Sequence, residues 1–326
     1  MLYCRCSTRI LILMRSALKK MNKIFFVKMS EQSQPTITYP SKNYGGLKIT
    51  FEGERNKEAI VFLPDTALSC EMCYNTFINY PKLQFLRDYF YFIFVDFPFM
   101  LPSADNIDYN APDYDMKLIS EDVDEVLTSI GLKYFVGFAT GSGAYIMSLI
   151  ACEKPNWFSG LVLINSDSNK VEWGEYLWTK KLSYQLSYFG ISSIVNDLTS
   201  LYFGNRTINY SKDLVLSFAE YINSLKPNNL IKRKELSTFE ELKKVNCKVL
   251  LFSGGDSYYN KGTISLTNKF DPSNSARVNI PNCGGLVTEE RPDAMVTTMI
   301  LFLQGMGHLV RQRIDPSNRP DILIQE

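Results

Sequence analysis

The feature of this sequence that most constrains its fold is a short apolar run that ends in a cluster of glycines. Residues 134–138 predict a strand, and Gly137, Gly141 and Gly143 lie at and just beyond its end. A helix is predicted over residues 144–152. Small residues let a helix pack closely on the strand that precedes it, so this pattern is typical of the edge of an α/β sheet.

Similar apolar runs alternate with helical patterns through most of the chain. Strands are predicted at residues 47–51, 59–63, 91–95, 161–164, 248–252 and 277–280. Helices are predicted at residues 116–130, where apolar side chains recur on one face, and at residues 292–306. Strands that are apolar on both faces and separated by helices predict an α/β fold with a mainly parallel central sheet flanked by helices.

The alternation is interrupted over one long stretch that reads as helical. This stretch contains large aromatic side chains, which include Trp173, Tyr176 and Trp178. We therefore predict an inserted helical cap at about residues 168–245, within one domain that covers residues 41–307. The remaining segments are predicted to be a basic, disordered N-terminal extension at residues 1–40 and a polar C-terminal tail at residues 308–326.

The start of the chain is basic and contains no acidic residue before Glu31. Its basic residues are Arg5, Arg9, Arg15, Lys19, Lys20, Lys23 and Lys28. Such a start is typical of a mitochondrial targeting segment, of a disordered extension, or of a segment that attaches weakly to a membrane surface. Its apolar runs are too short to span a bilayer, so no transmembrane segment is predicted.

Charge and cysteine content exclude several classes of function. The formal net charge is +1, so the chain as a whole produces no field that would attract nucleic acid. Its 7 cysteines are odd in number and irregularly spaced, which predicts free thiols. Cys70 and Cys73 form a lone CxxC, and the only histidine, His308, lies far along the chain. We therefore predict neither a metal site nor a cofactor.

The glycine-rich turn resembles the nucleophile elbow of α/β-hydrolases. In that elbow the pattern G-x-S-x-G places a serine on a sharp turn between a strand and a helix. Residues 137–141 match the pattern, and Ala139 occupies the nucleophile slot. A phosphate-binding loop is the alternative, but the glycines do not match G-x-G-x-x-G. The sequence therefore predicts an α/β-hydrolase fold with a methyl group in place of the nucleophile.

The other two slots of a catalytic triad are also degenerate. An acid should follow the strand at 248–252, where Asp256 or Tyr258 would occupy the slot. A histidine should follow the strand predicted near residue 280, but Gly285 stands there. His308 lies beyond a predicted helix of about 24 Å, so we expect it to be remote from the elbow. We therefore predict that the chain has no catalytic residues.

Six motifs resemble those of the N-myc downstream-regulated (NDRG) family, within the α/β-hydrolase superfamily. They are CYNTFIN at residues 73–79, FVDFP at 94–98, GSGAYI at 141–146, GLVLIN at 160–165, NCGGL at 282–286 and FLQGMG at 302–307. Family members have glycine at the elbow slot, where this chain has Ala139. The chain departs from the family at residues 97–99, where Phe-Pro-Phe replaces a Pro-Gly turn, and in a short tail without Ser/Thr-rich repeats.

The resemblance implies a hydrolase fold without hydrolase activity in a mainly cytoplasmic protein. It also implies a role in signal transduction, stress response or differentiation, exerted through protein partners. Two alternatives stay open. The aromatic cap could cover a pocket for a small apolar ligand or lipid. A displaced catalytic set could instead be formed by Asp256, Cys283 and Ser142, if these side chains converge.

Overall fold

The computed structural model describes residues 35–44, 46–97, 100–102, 116–167, 181–182, 184–186, 188–225 and 240–308. An eight-stranded sheet forms its centre, with the strand order β1-β2-β4-β3-β5-β6-β7-β8. The strands are β1 (Thr36–Tyr39), β2 (Leu47–Glu52), β3 (Glu58–Leu63), β4 (Phe90–Asp96), β5 (Phe135–Thr140), β6 (Phe158–Ile164), β7 (Lys248–Gly254) and β8 (Ser275–Ile280). β2 pairs antiparallel with β1 and β4, whereas β3 to β8 are parallel to one another.

Helices cover both faces of this sheet. They are α1 (Cys70–Asn79), α2 (Leu86–Tyr89), α3 (Met116–Ser129), α4 (Gly141–Glu153), α5 (Val195–Tyr202), α6 (Asn205–Tyr210), α7 (Lys212–Ser224), α8 (Asn260–Thr267), α9 (Val287–Glu290) and α10 (Pro292–Gly305). Short 3-10 helices lie at Pro155–Trp157, Ile191–Ser193 and Glu240–Lys244. Apolar residues of α3 and α4 pack on one face, and those of α1, α5, α7 and α10 pack on the other.

The central strands are apolar along their length because each contributes to two cores. Successive side chains of a strand point to opposite faces of the sheet. In β3, Phe62 lies in the core with α1 and Val61 in the core with α3. In β5, Phe138 likewise lies in the core with α1, and Ala139 lies in the core with α3. This double burial produces the continuous apolar runs and confirms the predicted α/β architecture.

One strand was not expected from the sequence. β1 pairs with β2 through a register that joins Thr36 to Thr50 and Tyr39 to Leu47. It lies at the edge of the sheet, and three of its four residues are exposed, so it carries no apolar pattern. Residues 36–39, which the sequence assigned to the N-terminal extension, therefore belong to the sheet.

Helices α5, α6 and α7 lie between β6 and β7, where the sequence predicts the cap. The aromatic residues Trp173, Tyr176 and Trp178 lie outside the described residues, as do the chain up to residue 34 and the tail from residue 309. In the part of the chain that the structure describes, every helix is too short or too polar to cross a bilayer.

Candidate functional site

The strand-to-helix turn lies between β5 and α4, and its strained residue is Gly141. Gly141 has a φ of 52°, in the left-handed region that residues with side chains rarely adopt. Ala139, the slot assigned from the sequence, instead lies inside β5, is fully buried and pairs with Leu63 and Leu163. The turn therefore falls two residues later than the sequence suggested, and its left-handed residue is Gly141.

A carboxylate covers this turn. A Cβ on Gly141 would lie 2.1 Å from Oδ1 of Asp65 and 2.2 Å from Oδ2, so no side chain fits there unless Asp65 moves. Asp65 follows β3, and its Oδ1 accepts hydrogen bonds from the main-chain N–H groups of Ser142 at 2.8 Å and Thr66 at 2.7 Å. The space that a nucleophilic side chain would enter is therefore filled by an acid of the chain itself.

Two opposing effects act on the pKa of Asp65. Burial raises this pKa above its usual value because the charged carboxylate loses hydration, and the hydrogen bonds from Ser142 and Thr66 offset part of that rise. The main-chain N–H of Asp65 donates to Sγ of Cys73 at 3.4 Å, which joins the loop to α1. The hydroxyl of Tyr202, in α5, donates to the carbonyl oxygen of Thr66, so the cap is anchored on the same loop.

The CxxC motif lies in the first turn of α1, with both thiols buried and free. The N–H of Cys70 donates to Oδ1 of Asp96 at 2.6 Å, and its Sγ lies 3.5 Å from the carbonyl oxygens of Phe62 and Val95. Burial is the main cause that raises the pKa of both thiols. Such enclosed, protonated thiols are packing groups. Over the described ranges, no cluster of three or more His, Cys, Asp or Glu residues has the placement that a metal ion needs.

The acid slot after β7 holds two candidates with different surroundings. Asp256 is exposed, and its N–H donates to the carbonyl oxygen of Cys283 at 2.9 Å. Tyr258 is also exposed, and its ring meets that of Tyr259 edge-on at 5.3 Å between centroids. A triad acid orients a histidine. For either residue to do so, the single imidazole of the chain, that of His308, would have to lie nearby.

His308 lies at the end of the parallel strands opposite to the elbow. Its Nε2 is 3.0 Å from Oε2 of Glu58, and its ring packs edge-on against Phe90 at 5.2 Å. Glu58 and Phe90 are the first residues of β3 and β4, whereas the elbow follows the last residue of the parallel strand β5. The length of a strand therefore separates His308 from Gly141, as its position after the final helix predicted.

Gly285, the predicted histidine slot, lies against the main chain of the cap. A Cβ on Gly285 would lie 2.7 Å from the carbonyl oxygen of Leu201, which is shorter than a van der Waals contact allows. The next residue, Leu286, donates its N–H to the carbonyl oxygen of Tyr202 at 2.8 Å. The end of α5 therefore occupies the space into which an imidazole at this position would extend.

Glu290 joins the segment that follows α5 to the loop that follows β8. Its carboxylate accepts hydrogen bonds from the N–H groups of Gly204, at 3.0 Å, and Gly284, at 2.6 Å. A Cβ on Gly284 would lie only 2.3 Å from the nitrogen of Gly204, so the two segments touch main chain to main chain. Burial is the largest influence on the pKa of Glu290 and raises it. No sequence pattern indicated this role, because the groups that Glu290 binds belong to the main chain.

Asn165, which directly follows β6, connects the last residue of β7 to the loop that follows β8. Its side-chain amide donates to the carbonyl oxygen of Gly285 at 2.7 Å, and its Oδ1 accepts from the N–H of Gly254 at 3.1 Å. Its own backbone has a φ of 47°, a conformation that Asn tolerates better than most residues. The sequence reasoning missed Asn165, although an Asn directly after a buried strand is a recognisable signal for such a turn.

The three residues considered as a displaced catalytic set do not form one hydrogen-bonded group. Sγ of Cys283 lies 3.7 Å from Oε1 of Glu290, and burial together with this carboxylate raises the pKa of the thiol. Ser142 contributes its N–H to Asp65. Among the side-chain hydrogen bonds of the described residues, none joins any two of Ser142, Asp256 and Cys283. The carboxylate beside the Cys283 thiol is therefore that of Glu290, and neither Ser142 nor Asp256 bonds to this thiol.

Comparison with solved structures identifies the fold. A thermophilic esterase from Thermogutta terrifontis superposes with a TM-score of 0.70 at 15% identity, over 83% of this chain and 99% of the esterase. An enol-lactonase from Burkholderia xenovorans LB400 superposes with a TM-score of 0.66 at 13% identity, over 82% of this chain and all of the lactonase. At such low identity the likeness shows an α/β-hydrolase fold and nothing about activity.

Comparison with sequences identifies the family. An "NDRG-like protein" of Dictyostelium discoideum is 28% identical over 272 residues, which cover 81% of this chain and 82% of that protein. "Protein NDL3" of Arabidopsis thaliana is 26% identical over 289 residues, which cover 85% of this chain and 83% of that protein. A model of the Ndr family matches residues 38–310. Most of the chain lies within this match, and the chain therefore belongs to the Ndr family and carries its sequence on an α/β-hydrolase fold.

Proposed function

We propose that this protein is a non-catalytic α/β-hydrolase relative that acts through protein partners. The observation that carries the proposal is the contact between Gly141 and Asp65. The strained turn that presents a nucleophile in hydrolases has no side chain here, and the Asp65 carboxylate lies 2.1 Å from where a Cβ would be. Loss of a single triad residue lowers kcat by roughly 10⁴- to 10⁶-fold.

The histidine slot supports the same conclusion. Gly285 has no side chain, and the carbonyl oxygen of Leu201 would obstruct one. His308 pairs with Glu58 at the end of the strands opposite to the elbow, so it does not act as a general base at the elbow. Without a nucleophile and a base, an acid at Asp256 or Tyr258 has nothing to orient.

The proposed biological role follows from the family. Membership of the Ndr family, together with the motif resemblance to NDRG proteins, supports a role in signal transduction, stress response or differentiation in the cytoplasm. On this proposal, the surface of the fold contacts the partners and the sheet supports that surface.

Ester turnover by the purified full chain tests the absence of catalysis. With p-nitrophenyl acetate and butyrate, we expect a rate equal to that of the buffer and of the Cys283→Ser and Asp256→Asn variants. These variants remove the Cys283 thiol and the Asp256 carboxylate, two of the polar groups that lie near the proposed triad positions. Saturable turnover that either substitution abolishes would show a working site and contradict the proposal.

A partner assay tests the positive half of the proposal. The full chain and a chain that starts at Met29 are compared as bait in a cytoplasmic extract, and each retained protein is then purified and titrated against both baits. We expect at least one saturable 1:1 complex that persists with the shorter chain. If every purified candidate fails to bind saturably, the folded domain does not act through protein partners.

A further inference from the structure

The elbow contains the two hydrogen-bond donors of a hydrolase oxyanion hole. In α/β-hydrolases these donors are the N–H of the residue after the nucleophile and an N–H from the loop after β3. Here they correspond to Ser142, which follows Gly141, and Thr66, which lies in the loop after β3. Both point at one oxygen, Oδ1 of Asp65, at 2.8 Å and 2.7 Å. These lengths fall within the range at which such donors stabilise an oxyanion, about 2.7 to 3.1 Å.

We propose that this oxyanion hole is intact and holds the Asp65 carboxylate as a built-in ligand, so that removal of this side chain leaves a binding site for a small carboxylate. The inference rests on the proposed inactive site and adds what occupies it. It assigns Asp65 the position that the oxygen of an acyl substrate would take in an active relative.

The surroundings of Asp65 show that the hole supplies the interactions of an anion site. The residue is only 8% exposed, and the largest influences on its ionisation are burial and the hydrogen bonds from Ser142 and Thr66. The interacting groups from neighbouring elements are Cys73, Tyr74 and Tyr202, and none of them is a cation. The N–H groups of Ser142 and Thr66, together with the positive end of the helix dipole of α4, therefore offset part of the cost of burying this charge.

Glycines bring the two donors together. A Cβ on Gly143 would lie 2.5 Å from the carbonyl oxygen of Pro64 and 2.6 Å from that of Leu63, so only glycine lets α4 approach the loop this closely. The N-terminal capping residue of α4, Thr140, makes no side-chain capping bond. Asp65 therefore caps this helix from the loop after β3, through the same N–H that would hold an acyl oxygen.

The decisive experiment follows the amide signals of Ser142 and Thr66 by NMR in the Asp65→Ala variant of the full chain. Added sodium acetate should shift both signals with one common, saturable binding curve in the millimolar range, and should raise the melting temperature by several degrees. The wild type should show neither effect, because its hole is occupied. Acetamide, a neutral molecule of the same shape, and sodium chloride at equal ionic strength are the ligand controls.

A matched variant tests whether removal of any Asp creates such a site. Asp271 also accepts a main-chain N–H, that of Ser273 at 2.9 Å, but it does so in an exposed turn. Asp271→Ala should therefore show no saturable response to acetate. An equal response in wild type, or in Asp271→Ala, would place the acetate outside the hole and overturn the inference.

A second measurement needs no alanine variant and covers the case in which Asp65→Ala does not fold. In the wild type, titration of the Asp65 carboxylate should move the Ser142 and Thr66 amide signals together, with one apparent pKa above that of an ordinary Asp. Cys73, Tyr74 and Tyr202 stay neutral over this range because burial raises their pKa values. Asp65→Asn should abolish the shared transition. Two unrelated transitions, or none, would contradict the inference, whereas ester turnover by the wild type would contradict only the proposed function.

Discussion

Gly141 and Gly285, the two glycines that we propose stand at triad positions, are closed to a side chain in different ways. At Gly141 the occupant is a side chain, the carboxylate of Asp65, held by two hydrogen bonds. At Gly285 the occupant is the main chain at the end of α5, with the carbonyl oxygen of Leu201 closest. Both positions lack a side chain of their own, and both are closed to one.

This difference determines how firmly each position is closed. A side chain can be shortened by one substitution, and the space that it leaves becomes available to another group. A main chain cannot be shortened, so a larger residue opposite it has to displace a whole segment of the cap. We therefore expect substitutions at Gly285 to be tolerated less well than substitutions at Gly141.

The largest effect is expected for Gly285→His, which restores the missing triad residue. The new Cβ alone would lie 2.7 Å from the carbonyl oxygen of Leu201, so the cap must shift. We expect a loss of at least about 4 kcal/mol in the free energy of unfolding, measured by urea denaturation. The control is Gly305→Ala, where no atom lies within 4 Å of the new Cβ and stability should hardly change. Equal stability of the two variants would show that the cap yields easily.

At the elbow, Gly141→Ser should cost about 3 kcal/mol, because a residue other than glycine is strained at a φ of 52° and the Asp65 carboxylate must move away. In combination with Asp65→Ala, the loss should be smaller than the sum of the two single losses by about 1 to 3 kcal/mol. A double-mutant cycle in urea measures this coupling. Simple additivity would mean that the carboxylate does not obstruct the turn.

The helix next to the histidine slot should respond to pH through Glu289. This carboxylate accepts hydrogen bonds from Thr76, and burial raises its pKa from 4.5 to about 7. The folded state binds the Glu289 proton more tightly than the unfolded state does. Protonation of Glu289 therefore stabilises the fold fully below the unfolded pKa of 4.5, and this stabilisation is lost as pH rises to about 7. We expect a contribution of about 2 to 3 kcal/mol to disappear between these limits.

Urea midpoints at pH 5 and pH 8 measure this contribution of Glu289. Glu289→Gln keeps an oxygen for the Thr76 N–H but cannot ionise, so its stability should change less over the same interval. An unchanged pH dependence in this variant would mean that other groups cause the effect.

The contact between the segment after α5 and the loop after β8 should weaken when the Glu290 side chain is truncated. Glu290→Ala leaves the N–H groups of Gly204 and Gly284 without their acceptor, and we expect a loss of about 2 kcal/mol. Glu290→Gln retains one acceptor oxygen and should lose about half as much. Hydrogen exchange at Gly204 and Gly284 gives a local readout, which should become faster in both variants. Unchanged exchange would show that main-chain packing alone holds the cap.

The smallest effect is expected for His308→Ala. Its pair with Glu58 is partly exposed, so the loss should stay below about 1 kcal/mol. The amide signals of Ser142 and Thr66 should not move, since His308 and the elbow lie at opposite ends of the parallel strands. A shift of those signals would show that the two ends are coupled.

The sequence predicted the sheet well because strands that are buried on both faces form continuous apolar runs in the sequence. The runs at 59–63 and 248–252 match β3 and β7, and the predicted helix at 116–130 matches α3 within one residue. The edge strand β1 was missed because its exposed Thr36 and Thr38 carry no apolar signal. Burial, and not strand formation itself, is what the pattern detects.

The position of the elbow could not be read from spacing alone. Two overlapping five-residue patterns, 137–141 and 139–143, each end in glycine. Pairing across the sheet selects the second, because Thr140 still pairs with Ile164 and the left-handed residue is Gly141. The roles of Asp65 and Glu290 were also hidden, since each binds N–H groups from segments far away in the sequence. Such contacts exist only after the chain has folded.

The position of Asn165 has a consequence for how a partner would associate with this protein. One amide side chain joins the residue after β6 to the end of β7 and to the loop after β8, so these three segments are held together before any partner binds. Binding to a surface that is already rigid requires little ordering of loops, and the entropy lost on association is correspondingly small. A partner that docks on these segments would therefore bind as a rigid body, with little change in their backbone.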